Sequence, residues 1–140
     1  MPLNGVNGGS DAKYYPQYSP DGTWIAFTYS AQANSTMVAE DALIRLVRTD
    51  QSGTIATLPA ANGVPCSTGQ PCGNSFPTWS KDGRFLSFSS NRPGSIPANG
   101  RNSWDLYITP IDPATGADGP AYPVDGANSP EFEHAVQWGE

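Results

Sequence analysis

The chain has 140 residues, a net charge of −6, 15 Gly, 14 Pro and a high share of aromatic residues. Gly and Pro weaken helix interiors and aromatic residues suit pleated strands, so the composition favours one modest all-β domain over a helical one. The few basic residues are dispersed, which argues against binding to a nucleic-acid backbone. No apolar run reaches the roughly 20 residues that span a bilayer.

Residues 1–13 precede the first predicted strand and are interpreted as an N-terminal extension. They lack the apolar stretch of a secretory signal. If the protein is exported, we expect the signal to have lain upstream of these residues.

A repeated segment organises the rest of the chain. Residues 15–27, YPQYSPDGTWIAF, return 61 positions later as residues 76–88, FPTWSKDGRFLSF. Each copy predicts a hairpin, because the Asp-Gly pair suits a tight turn and an aromatic segment stands on either side. The predicted turn residues are Asp21, Gly22, Asp82 and Gly83. The predicted core residues of the repeat are Tyr18, Phe27, Trp79 and Phe88.

A second match follows each hairpin. Residues 42–50, ALIRLVRTD, resemble residues 104–112, WDLYITPID. Ile44 and Leu46 correspond to Leu106 and Ile108, and all four are predicted to be buried at the period of a strand. Taken alone, residues 37–48 could also form a turn or two of helix, but the repeat favours strand. A glycine after each copy predicts a turn into a short fourth strand, near residues 54–58 and 120–124.

Four short strands in about 60 residues are the anatomy of a propeller blade. The fold-class prediction is an all-β partial β-propeller, with two four-stranded antiparallel blades and the start of a third. Its boundaries place blade-like repeat 1 at 14–61, a cysteine-containing loop at 62–75 and blade-like repeat 2 at 76–126. A degenerate third repeat begins at 127–140, where Trp138 lies 59 positions after Trp79.

Two cysteines, Cys66 and Cys72, lie in a loop rich in Gly and Pro. We predict a disulfide between them, contributing about 2 kcal/mol in the chain-entropy model and implying an oxidising compartment. Free thiols are the alternative. A zinc site would need further ligands, and a thioredoxin-type site needs two intervening residues where this loop has five.

The sequence offers no recognisable catalytic set, so no catalytic, cofactor-binding or metal residue is predicted. There is no G-x-S-x-G elbow, and the single histidine, His134, lies near the C-terminal end. His134 could bind a metal with Glu131 or Glu133, but it also suits the entrance to a strand. Trp104 follows a polar loop and is the best candidate for an exposed aromatic that binds a ligand.

These motifs resemble a known family. Pro-x-Tyr/Trp-Ser-x-Asp-Gly, followed in the second copy by Ser90-Asn91-Arg92 and Trp104-Asp105-Leu106-Tyr107-Ile108, resembles the TolB-like, WD-related β-propeller repeat over residues 14–138. The first copy departs from the pattern at Tyr29-Ser30-Ala31. The resemblance implies a ring of several blades, which this chain cannot complete alone. Further residues, other copies or another subunit would have to close it.

The resulting functional expectation is a non-catalytic protein-interaction or scaffold module. It would be part of a larger exported bacterial protein or complex, periplasmic or extracellular. Its partners would be a protein or the remaining propeller blades, including further copies of itself, with no cofactor. The alternative is a fragment of a propeller enzyme or carbohydrate-binding protein whose active residues lie outside this segment.

Overall fold

The computed structural model describes residues 3–6, 9–32, 39, 41–63, 72–93, 97–98, 101–102 and 104–127. Two four-stranded antiparallel sheets dominate these residues, and helix within them is limited to the four residues of α1 (Pro59–Asn62). The prediction of an all-β fold is therefore confirmed.

The first sheet is a meander in which each strand pairs with the next one along the chain. Its strands are β1 (Ala12–Tyr18), β2 (Trp24–Ser30), β3 (Leu43–Arg48) and β4 (Ile55–Ala56). The helix α1 follows β4. Strand β3 falls within the segment for which a helix was the alternative, so the repeat led to the right choice over residues 43–48.

The second sheet repeats this order. Its strands are β5 (Asn74–Trp79), β6 (Phe85–Ser90), β9 (Asp105–Pro110) and β10 (Tyr122–Pro123). A separate two-stranded ladder, β7 (Pro97–Ala98) with β8 (Arg101–Asn102), lies within the connection from β6 to β9. Both predicted fourth strands are present as β4 and β10, although each is only two residues long.

Both sheets carry the same irregularity in their first hairpin. The register of β1 against β2 shifts between Tyr14 and Gln17, and that of β5 against β6 shifts at the matching place. At these bulges, Tyr15 has a φ of 53° and Phe76 a φ of 58°, in the left-handed region that bulky residues seldom occupy. The centroids of these two rings lie 4.5 Å apart. The matched bulges therefore bring the first strands of the two sheets together.

The predicted Asp-Gly turns occur in both hairpins with the same hydrogen bonds. Ser19 Oγ donates to Asp21 Oδ1 at 2.6 Å, and Ser80 Oγ donates to Asp82 Oδ1 at 2.7 Å. Gly22 has a φ of 72° and its counterpart in the second turn a φ of 69°, which glycine adopts at little cost. The hydroxyl hydrogen bonds hold the pKa of both carboxyl groups below the usual value. All four predicted turn residues thus serve as turn residues.

Candidate interaction faces at the two ends of the sheet pair

Each sheet has two unlike faces, which we name by their residues. The front face of the first sheet carries Trp24, Ala26 and Thr28 of β2, and its back face carries Ile25 and Phe27 together with Tyr18 of β1. The repeat gives the equivalent faces of the second sheet. Its front face carries Phe85, Ser87 and Ser89, and its back face carries Trp79, Leu86 and Phe88.

The two sheets pack with unlike faces together. Trp24 and Ala26 from the front of the first sheet share one buried cluster with Trp79, Leu86 and Phe88 from the back of the second. Predicted core residues Trp79 and Phe88 are therefore buried, at 7% and 1% exposure. An interface between unlike faces is head-to-tail, so it does not close upon itself with two units. The back of the first sheet and the front of the second lie away from this interface, although Ser87 and Ser89 on that front face are also buried, at 3% and 0% exposure.

A turn of the second sheet closes over the front face of the first. Trp24 Nε1 donates to the carbonyl oxygen of Pro113 at 2.8 Å, and the guanidinium of Arg48 donates to the carbonyl of Ala114. A Cβ built on Gly116 would lie 2.9 Å from the Trp24 ring. Trp24 is 1% exposed as a result. The turn leaves no room for a larger residue at position 116.

A buried cation joins the sheets on the other side of the interface. Arg92 is 5% exposed and donates to the carbonyl oxygen of Ala61 at 2.8 Å, to Asn74 Oδ1 at 2.9 Å and to Ser90 Oγ at 3.0 Å. Its guanidinium carbon lies 4.4 Å from the ring centroid of Tyr107. Desolvation lowers the pKa of Arg92 to about 10. Ala61 belongs to α1, so Arg92 links the end of the first repeat to the second sheet.

The polar network continues from Asn74 into the first sheet. Asn74 Nδ2 donates to Asn62 Oδ1 at 3.2 Å, and Asn62 exchanges hydrogen bonds with both backbone groups of Ile44 at 3.0 and 2.7 Å. Sequence reasoning placed Arg92 in a family motif but gave it no role. It did not identify Asn62 or Asn74, which no motif or repeat distinguished.

The front face of the second sheet ends in exposed aromatic residues. Phe85 is 39% exposed and Tyr122 is 58% exposed. In register, Phe85 lies opposite Pro110, and Tyr122 lies opposite Ile108, which is only half-buried although the sequence predicted burial. We call these four residues the front patch. The first-sheet equivalent of Phe85 is the fully buried Trp24, so the patch corresponds to a surface that is covered inside the chain.

The back face of the first sheet contains a corrected prediction. Tyr18 was expected in the core, but it is 69% exposed. Its equivalent, Trp79, is buried because the first sheet lies behind it and Gln17 accepts a hydrogen bond from its Nε1 at 3.1 Å. No such sheet covers Tyr18 in the described part of the chain. Exposure at this repeat position is thus decided by the neighbouring sheet.

The rest of this back face is covered by the N-terminal extension. Leu3 and Val6 pack against a buried cluster of the first sheet. Its buried members are Ile25, Phe27 and Val47. Asn4 Nδ2 donates to the carbonyl oxygen of Gln51 at 2.8 Å and holds the extension on the turn between β3 and β4. Phe27 is therefore buried, at 4% exposure, as predicted.

The prediction that Trp104 is an exposed binding aromatic is wrong. Trp104 is 6% exposed, and a Cβ built on Gly73 would lie 2.7 Å from its ring. The ring packs on the backbone at the end of the cysteine loop, next to Cys72, which is 1% exposed. Cys66 lies outside the described residues, so its pairing with Cys72 stays a prediction. Outside them too lie Glu131, Glu133, His134 and Trp138, and with them the predicted third repeat.

Two further carboxylates, Asp50 and Asp112, also serve turns. Hydrogen bonds from the side chains of Ser52 and Thr115 lower the pKa of Asp50 and Asp112 respectively. Backbone N–H groups two residues further along, which donate to each carboxylate at 3.0 Å, add to this effect. Among the residues that the structure describes, no three His, Cys, Asp or Glu side chains converge on a point that could hold a metal ion. Nor does any helix in that part of the chain have the length and apolarity to cross a membrane.

Comparisons with protein families, with curated proteins and with solved structures find no match to this chain.

Proposed function

We propose that this chain is a non-catalytic protein-interaction or scaffold module of the TolB-like propeller type, working within a larger exported protein or complex in a periplasm or at a cell surface. One observation carries the proposal: the two ends of the sheet pair expose aromatic residues whose repeat equivalents are buried between the sheets. Tyr18 is 69% exposed where Trp79 is 7% exposed, and Phe85 is 39% exposed where Trp24 is 1% exposed.

The propeller interpretation is supported by the way the sheets are related. Successive blades of a propeller repeat the same meander and pack with unlike faces together around an axis. Both features are present between the first and second sheets, together with matched bulges and matched turns. In a pair of sheets related in this way, one face of each kind lies away from the shared interface, with Tyr18 and Phe85 exposed at their edges.

The alternative, a carbohydrate-binding protein or propeller enzyme, loses its best residue in this segment. Trp104 was the candidate for stacking on a sugar, and its ring is buried against Gly73. No observation on the described residues favours this alternative over protein binding.

Site-specific photo-crosslinking in the native source tests the proposal. A photoreactive phenylalanine analogue at position 85 or 122 should give discrete adducts with protein, because both positions lie on the front patch. The same analogue at Gln32, which is exposed and off both end faces, is the matched control. Absence of protein adducts from positions 85 and 122, or an adduct pattern equal to that from position 32, would refute the interaction role.

A further inference from the structure

We propose that residues 3–6 form a releasable cap on the back face of the first sheet, and that spontaneous deamidation of Asn4 releases it. Leu3 and Val6 are the described residues of the extension that pack against this face. The buried cluster beneath them consists of Ile25, Phe27 and Val47. The equivalent face of the second sheet is covered by a whole sheet. A cap with so few contacts can open while the sheet beneath it stays folded.

Two further contacts hold the cap on the turn between β3 and β4. The backbone N–H of Asn4 donates to Gln51 Oε1 at 3.3 Å and Asn4 Nδ2 donates to the Gln51 carbonyl oxygen at 2.8 Å, both in exposed surroundings. Gly5, with a φ of 80°, approaches so closely that a Cβ built on it would lie 2.9 Å from the carbonyl oxygen of Gly53. The cap therefore depends on an asparagine amide that donates and on a following residue that has no side chain.

The same two residues form a deamidation site. An asparagine followed by glycine is prone to this reaction, because glycine has no Cβ to shield its backbone nitrogen. The Gly5 nitrogen attacks Cγ of Asn4 and loses its hydrogen, the Cγ–Nδ2 bond breaks, and ammonia leaves. Water then cleaves either C–N bond of the succinimide ring, which gives aspartate or isoaspartate. Asn4 and Gly5 are both exposed, so water has access to the reacting atoms.

Either product loses a contact that holds the cap. A carboxylate has no hydrogen to donate, so the Gln51 carbonyl oxygen loses its donor and faces a charged acceptor instead. Isoaspartate also lengthens the main chain by one carbon, which moves Gly5 out of its close contact with Gly53. Hydrolysis makes the change irreversible. The fraction of protein with an open back face therefore rises with the age of the protein.

The chain contains the same tripeptide at a protected place. Asn4-Gly5-Val6 recurs as Asn62-Gly63-Val64. Asn62 is 7% exposed, and its Nδ2 donates to the carbonyl oxygens of Ile44 and Thr57 at 2.7 Å in both cases. The Gly63 nitrogen donates to the carbonyl oxygen of Pro59 at 2.9 Å. Both reacting groups are thus held in the folded chain, which makes this site an internal control for the first.

Incubation of the purified chain at mildly alkaline pH, folded or unfolded in urea, tests the site. Tandem mass spectrometry of its peptides locates the mass change from amide to acid. In the folded chain, Asn4 should convert at least about tenfold faster than Asn62, because the second reaction requires opening of the core. In urea the two rates should approach each other, since the local sequence is the same. Equal rates in the folded chain, or no conversion at Asn4, would overturn the proposal.

Asn4→Asp reproduces one product and tests release. The methyl NMR signals of Ile25 and Val47 report on the cap, because both side chains belong to the cluster beneath it. Leu3→Asp removes an apolar anchor and gives the reference signals of the open face. Asn4→Asp should move both signals toward this reference. Gln32→Asp makes the same change of charge at an exposed position outside the cap and should leave them unchanged.

Signals that stay at their wild-type positions in Asn4→Asp would refute release, even where Asn4 deamidates. Signals that stay there in Leu3→Asp as well would refute the cap itself. Far-ultraviolet circular dichroism establishes that each variant is folded, and Leu3→Ser supplies the reference if Leu3→Asp does not fold.

Release of the cap and the proposed interaction role fail separately. Photo-crosslinking uses positions 85 and 122 on the second sheet, whereas the cap lies on the first. Protein adducts from those positions, with an Asn4 that does not convert, would retain the interaction role and reject release. Conversion of Asn4 with shifted methyl signals, and no adducts, would retain release and reject the interaction role.

Discussion

Trp79 and Tyr18 occupy the same repeat position with opposite exposure, so their replacement by alanine separates the effect of packing from that of sequence. Trp79 is 7% exposed and its Nε1 donates to Gln17. Removing a core tryptophan costs about 3–5 kcal/mol, a large part of the 5–15 kcal/mol that stabilises a typical domain. Tyr18 is 69% exposed, so Tyr18→Ala should change the free energy of unfolding by no more than about 0.5 kcal/mol.

Urea unfolding followed by far-ultraviolet circular dichroism measures this difference without depending on tryptophan fluorescence, which the first variant alters. With a slope of about 2 kcal/mol per molar urea, Trp79→Ala should lower the midpoint by about 2 M. Tyr18→Ala should leave it almost unchanged. Equal losses in the two variants, or a loss below about 1 kcal/mol for Trp79→Ala, would refute the claim that the sheets meet at Trp79.

Four further predictions concern the turns, the buried cation and the cysteines. Gly116→Ala should lower the melting temperature more than Gly22→Ala. Both glycines have positive φ, so both variants strain the backbone. The new Cβ at position 116 would also lie 2.9 Å from the Trp24 ring, whereas at position 22 it would meet nothing within 4 Å. Arg92→Ala should lower the free energy of unfolding by about 1–3 kcal/mol for each buried acceptor that loses its hydrogen bond. A urea midpoint equal to that of wild type would contradict the proposed link between the sheets. Asp21 and Asp82 have folded-state pKa values below their unfolded values, so the stabilisation they give is present above about pH 4 and is lost as the pH falls through the folded-state pKa values. Asp82→Asn should therefore make the melting temperature less sensitive to acid. A pH dependence equal to that of wild type would count against the turn hydrogen bonds. If Cys66 and Cys72 are joined, the intact mass without reductant should be two hydrogens below the reduced mass, and reduction should cost about 2 kcal/mol of stability; two alkylatable thiols in native material would disprove the bond.

Local chemistry explains how much of the fold could be predicted from the sequence. The Asp-Gly pairs specify their turns for two local reasons. Gly22 and Gly83 adopt positive φ at little cost. In each turn, a serine hydroxyl also donates a hydrogen bond to the aspartate two residues later. The alternation of Ile44 and Leu46 specifies a strand because successive side chains point to opposite faces. These effects act over a few residues, and the 61-residue repeat gave each of them a second, independent copy.

Which residues are exposed at the two ends could not be predicted in this way, because burial at a repeat position depends on which sheet lies beside it. Tyr18 and Trp79 are equivalent in sequence, but within the described residues a sheet packs against only the second. Trp104 follows a polar loop, and only the folded chain brings Gly73 beneath its ring. Position 92 also depends on the neighbouring repeat. Arg92 donates a hydrogen bond to Ala61 of the preceding repeat. Its equivalent in the first copy is Ala31, and the described residues include no preceding sheet there. The sequence by itself determined the strands, the turns and their repetition, since these depend on near neighbours. The tertiary structure decided which equivalent residues are buried and which form the two ends, since that depends on contacts such as those between residues 62 and 89 positions apart.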